Sequence, residues 1–103
     1  MNARNLFEDS APPGAGERVD VLLSHRNLVV ERIVSSANIT PKKYVQSQDE
    51  WVVLVRGHAE LEVEGEVVGL KSGDHLFLPS GTAHSVKSAS EGALWLAVHL
   101  HAV

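Results

Sequence analysis

Apolar and polar residues alternate along much of this chain with a period of two, the pattern of strands that bury one face. In residues 28–35, Val30, Arg32 and Val34 point one way and Val29, Glu31 and Ile33 the other. Leu61 and Val63 alternate with Glu60 and Glu62 in the same manner. Residues 50–55 are almost wholly apolar after Glu50, which suits a strand covered on both sides. Turn-forming residues separate these runs: His25-Arg26-Asn27, Glu64-Gly65-Glu66, Lys71-Ser72-Gly73-Asp74 and Pro79. The spacing predicts strands over 19–24, 28–35, 50–55, 59–63, 67–70, 75–78, 84–87 and 93–103, with a further short one over 40–46. No helix of ordinary length is expected. Many short strands at regular spacing point to an all-β fold, a single antiparallel β-barrel that leaves few open sheet edges.

Residues 1–18 read as a lead-in and 19–103 as the barrel domain. Ala11-Pro12-Pro13-Gly14-Ala15-Gly16 cannot continue a helix. Leu6 and Phe7 either pin the lead-in onto the barrel or belong to a frayed terminus.

Composition narrows the function classes. A chain of 103 residues with 44% hydrophobic and 21% charged residues suits one globular domain. Only 5% of residues are aromatic, so aliphatic side chains must fill the core. The net charge of −4 and the lack of a basic stripe argue against nucleic acid as a partner. The chain has no cysteine, which excludes disulfides, thiolate metal ligands and a cysteine nucleophile. No apolar stretch approaches the roughly 20 residues that span a bilayer, and the first residues carry no signal-type run. A cytoplasmic location without a membrane partner is the resulting expectation.

The strongest local signal runs from Gly73 to His84. It fits Gly-x5-Pro-x-Gly-x2-His, with Gly73, Pro79, Gly81 and His84 at the fixed positions. Pro79 and Gly81 force a sharp bend that returns the chain with His84 at the start of the next strand. This segment resembles the second motif of the cupin superfamily. The first cupin motif is present in its second half, as Glu50, six residues, then Gly57. Its first half departs, because Tyr44 and Gln46 stand where two histidines are usual and Asn38 stands for the leading glycine. The resemblance covers roughly residues 28–101. It implies a jelly-roll barrel, or double-stranded β-helix, with a pocket built around Glu50 and His84.

The resemblance further implies a metal site, with His84 and Glu50 as its direct carry-overs. Gln46 shares the register of Tyr44 and offers a carbonyl oxygen to a divalent ion, or a hydrogen bond to a substrate. Phosphomannose isomerase-type cupins are similar in setting a glutamine beside histidine and glutamate. His99 shares a strand face with Trp95, Ala97 and His101, and either completes the set or lies at the surface. Gln46, Glu50, His84 and His99 together would suit zinc, nickel, iron or manganese. Tyr44 is expected as a wall of the substrate pocket. Two functions follow: a metal-dependent isomerase or lyase acting on a small sugar or organic acid, with Glu50 or His99 moving a proton, or a metal-free module that binds or senses a small molecule. A homodimer is the expected assembly. Ser80, Ser85 and Ser88 lack a Gly-x-Ser-x-Gly elbow, so no hydrolase triad is expected.

Overall fold

The computed structural model describes all 103 residues. Eight strands follow in order: β1 (Glu17–His25), β2 (Leu28–Ser35), β3 (Asp49–Arg56), β4 (His58–Val63), β5 (Glu66–Lys71), β6 (His75–Leu78), β7 (His84–Ala89) and β8 (Ala93–Leu100). They form a five-stranded sheet in the order β1-β2-β8-β3-β6 and a three-stranded sheet in the order β5-β4-β7. Every pairing is antiparallel. The two sheets face each other as a jelly roll, and their ladders do not join into one continuous barrel. The expected closed wall is thus two packed sheets. At one end they meet through a bridge in which Tyr44 and His84 exchange backbone hydrogen bonds of 2.7 and 3.0 Å.

The expected short strand at 40–46 reduces to that bridge. Pro41 has no N–H to donate, and no neighbouring strand lies alongside to propagate a ladder. β1 begins two residues earlier than the alternation suggests, at Glu17, and β8 stops at Leu100. Glu64 and Gly65 take positive φ values of 50° and 83°, which makes the tight hairpin between β4 and β5.

The core lies between the sheets. Val52, Leu54, Trp95 and Ala97 from the large sheet pack against Ala59, Leu61 and Leu70 from the small one. Gly57 turns the chain from one sheet to the other with φ at 98°. A Cβ there would stand 2.5 Å from Ser90 Oγ, so the glycine of the first motif is required by space as well as by backbone.

The lead-in is tied down from an unexpected quarter. Arg32 is buried on the outer face of the large sheet, where its guanidinium donates to the carbonyls of Leu6 (3.0 Å), Glu8 (2.6 Å) and Asp9 (3.2 Å). The same group donates to Asp20 Oδ2 at 2.7 Å. Phe7 stays half-exposed, its ring 5.6 Å from the Arg56 guanidinium. Backbone carbonyls thus tie this segment to the sheet, while Leu6 is part-buried.

Candidate functional site

A cavity of about 250 Å³ opens between the sheets. Its walls come from β1 and β2 (Glu17, Val19, Glu31, Ile33), from β3 and β8 (Glu50, Val52, Trp95, His99), and from the small sheet (Leu61, His84, Val86). Tyr44, Gln46 and Leu78 complete it. The sequence candidates Tyr44, Gln46, Glu50, His84 and His99 all face this one space.

Local structure explains the convergence. The bend at Pro79–Gly81 is clamped to the segment that carries Gln46 and Glu50. Gly81 N–H donates to the Gln46 carbonyl at 2.8 Å, and Ser80 N–H donates to Asp49 Oδ1 at 2.8 Å. Cross-strand register then sets Glu50 opposite Leu78 on one side and opposite His99 on the other. Four hydrogen bonds thus pin the bend and the start of β7 to residues 44–49, counting the two of the Tyr44–His84 bridge.

The two imidazoles differ in what they leave free. His84 Nδ1 lies 3.0 Å from the Thr82 carbonyl, an acceptor only, so Nδ1 carries the proton there. Nε2 then presents a lone pair to the cavity, 3.8 Å from Glu50 Oε1. His99 has both nitrogens engaged. Its Nε2–H donates to Glu31 Oε1 at 2.9 Å, and its Nδ1 accepts from the Gln48 amide at 3.3 Å.

Glu50 is 7% exposed and accepts no hydrogen bond from the protein. Burial pushes its carboxyl above the ordinary carboxylate range, with Glu31 and Glu17 adding to the effect and His99 and His84 opposing it. Burial also raises Glu17, although Ser35 Oγ–H donates to it at 3.1 Å. Ser35 in turn accepts from the Trp95 indole at 3.0 Å. The Tyr44 ring stands over His84 with centroids 6.0 Å apart.

The four-residue metal set does not fit this geometry. His99 Nε2 is held by Glu31, and no group of three His, Asp or Glu side chains is placed to share an ion. Glu50, His84 and Gln46 are the candidates left. His99 is buried instead of lying at the surface, and His101 is exposed. Glu17 and Glu31 escaped the sequence reading. The alternation that put Glu31 on one face with Val29 and Ile33 was the available signal, since a carboxylate among inward apolar residues marks a pocket.

An eight-stranded antiparallel jelly roll with an acid and an imidazole facing one cavity between its sheets is the fold class that this chain adopts. Residues 30–99 match the cupin domain, and the chain belongs to that family. A solved structure from Ralstonia eutropha JMP134, described provisionally as a mannose-6-phosphate isomerase, is 35% identical. The match covers 99% of this chain and 100% of that one, with a TM-score of 0.83. An RmlC-like cupin from Shewanella frigidimarina shares the fold at 17% identity and a TM-score of 0.79, over 99% of this chain and 93% of that one. A protein of Aquifex aeolicus (strain VF5), described as uncharacterized, is 29% identical over 86 residues, or 82% of this chain and 71% of that relative.

Proposed function

We propose that this cupin binds a small hydroxyl-bearing metabolite between its sheets and moves protons on it through Glu50 and His84, in isomerase- or lyase-type chemistry. The observation that carries the reading is the facing pair of acceptors. Glu50 Oε1 and the lone pair of His84 Nε2 stand 3.8 Å apart, too far for a direct hydrogen bond. Two donors would satisfy them, and a pair of neighbouring substrate hydroxyls supplies one to each. Glu50, with its carboxyl raised, is suited to take a carbon-bound proton and return it at the adjoining carbon. His84, held by Thr82, accepts a proton from one substrate oxygen and passes it to another. The apolar walls are suited to hold the carbon skeleton.

A divalent ion would find its candidate ligands in Glu50, His84 and Gln46. The engagement of His99 weighs against the fuller set, so no chemical step is assigned to an ion. A second reading, a metal-free binding or sensing module, draws support from the locked state of His99 and Glu31, which leaves one pair free to act. We infer self-association as well, because Leu23, Trp51 and Phe77 are exposed on the outer face of the large sheet. Light scattering at high concentration reports that assembly.

The decisive experiment is deuterium exchange at carbons next to a carbonyl in small hydroxy-carbonyl compounds, followed by NMR. Exchange catalysed by the native protein, lost by at least tenfold in Glu50→Gln and His84→Asn and unaffected by chelator, supports proton transfer. Saturable binding without exchange supports the binding module. Exchange abolished by chelator and restored by zinc or manganese overturns the metal-independent reading.

A further inference from the structure

We propose that two copies of this chain join their large sheets edge to edge through β1, with the run Glu17–Val21 paired antiparallel to itself about Val19. The second copy then extends one wall of the cavity. The proposal rests on the self-association inferred above and gives it a surface and a register.

β1 is an outermost strand of the five-stranded sheet. Beyond its ladder with β2, no backbone group of Glu17–His25 has a backbone partner. A row of free N–H and C=O groups is a template for another strand. Val19 and Val21 lie on the inner face yet are 53% and 60% exposed, because the three-stranded sheet does not cover β1. A bulge between Val21 and Leu23 interrupts the later part of the strand, so the regular edge is Glu17–Val21. The lead-in crosses the outer face over Arg32 and leaves this edge open.

Charge and register identify the occupant as a second copy. When a strand pairs with its own copy about a two-fold axis, each residue meets the one equally far on the other side of that axis. Opposed side chains must share a face, so the axis passes through a residue and not between two. An axis through Arg18 would oppose two guanidiniums, and one through Asp20 would oppose two carboxylates. An axis through Val19 sets Arg18 opposite Asp20 of the second copy, twice, on the outer face. It also sets Val19 against Val19 on the inner face and centres the ladder on the bulge-free run. Arg18 and Asp20 are each 30% exposed and already lie 3.3 Å apart within the chain, so their charges remain open to a second copy.

The pairing bears on the site. Glu17 and Val19 line the cavity. In this register Val21 of the second copy stands opposite Glu17, and its Val19 stands opposite Val19, both on the cavity side. Each copy thereby adds two apolar side chains to the other's cavity wall where that wall is now exposed.

Sedimentation equilibrium of the full chain tests the proposal in mildly alkaline buffer, so that Glu17 carries its charge. Circular dichroism checks the folding of each variant. The native chain should form a concentration-dependent dimer. Val19→Lys opposes two cations at the axis and should weaken the dimer by about tenfold or more. Val21→Glu meets Glu17 of the second copy with like charge and should weaken it by a similar factor. Val21→Lys meets the same Glu17 with opposite charge and should stay within about threefold of the native chain. Equal loss in Val21→Lys and Val21→Glu overturns the register. A dimer that survives Val19→Lys overturns the β1 surface. Its loss in the double variant Trp51→Ser, Phe77→Ser would then move the interface to the opposite side of the sheet and leave self-association standing. A native chain that stays monomeric at high concentration overturns both.

Discussion

Two buried charges on the large sheet make a controlled comparison. Arg32 lies on the outer face and Glu50 on the inner face, and both are nearly inaccessible at 6% and 7% exposure. Arg32 is saturated: three carbonyls and the Asp20 carboxylate receive its donors. Glu50 receives none, and its nearest charged or chargeable partner is 3.8 Å away. A buried ion that is fully paired organises structure, and here it fastens the first residues across the sheet. A buried ion without donors cannot do that work, and its desolvation cost is retained where binding can relieve it.

Replacing Arg32 tests the structural half. Arg32→Met keeps much of the side chain's volume while removing every donor. It should lower stability by about 3–5 kcal/mol, the scale for breaking a buried charged network. Residues 1–10 should become accessible to protease at the same time. Unchanged melting and intact protection of that segment would show that Arg32 is not the fastening.

Glu50→Gln should act in the opposite direction and stabilise the protein at neutral pH by about 1–2 kcal/mol, the scale of a buried polar group left unpaired. The sign follows from the raised carboxyls of Glu50 and Glu17. The folded state holds their protons more tightly than the unfolded chain does. The penalty is therefore absent below the ordinary glutamate range and grows as pH rises through the folded values. Asp20 behaves in reverse, because its hydrogen bond from Arg32 lowers its carboxyl, and its contribution is lost on strong acidification. Stability should peak at mildly acidic pH in the native protein, and the decline above that peak should be shallower in Glu50→Gln. Melting curves taken across pH check both slopes.

The smallest effect belongs to Phe7. Phe7→Ala removes an exposed ring beside Arg56 and should cost about 0.5–1 kcal/mol by denaturant titration. A loss matching that of Arg32→Met would mean that the apolar side chains, and not the carbonyls, hold the lead-in.

Much of this protein was legible in its sequence because the relevant rules are local. Alternation placed most strands to within two residues, since a strand with one buried face must repeat every second residue. Gly73, Pro79, Gly81 and His84 announced a bend that delivers an imidazole, and Glu50 and Gly57 fixed the partner segment. Those same residues brought Tyr44, Gln46, Glu50, His84 and His99 under suspicion. The short strand at 40–46 was overcalled because a β-rich composition does not guarantee a neighbour to pair with.

The order of residues accounts for the strand pattern, the motif-bearing bend and the identity of the polar groups near it. Tertiary structure alone decided which of those groups are free. His99 meets Glu31 across 68 positions and Arg32 meets Leu6 across 26, contacts set by the packing of distant segments and not by neighbouring residues. The gathering of Glu17, Glu31 and Glu50 around one cavity is likewise a product of strand order. The physical reason is that hydrogen-bond satisfaction is a property of the packed neighbourhood, and the chain order does not state who the neighbours will be.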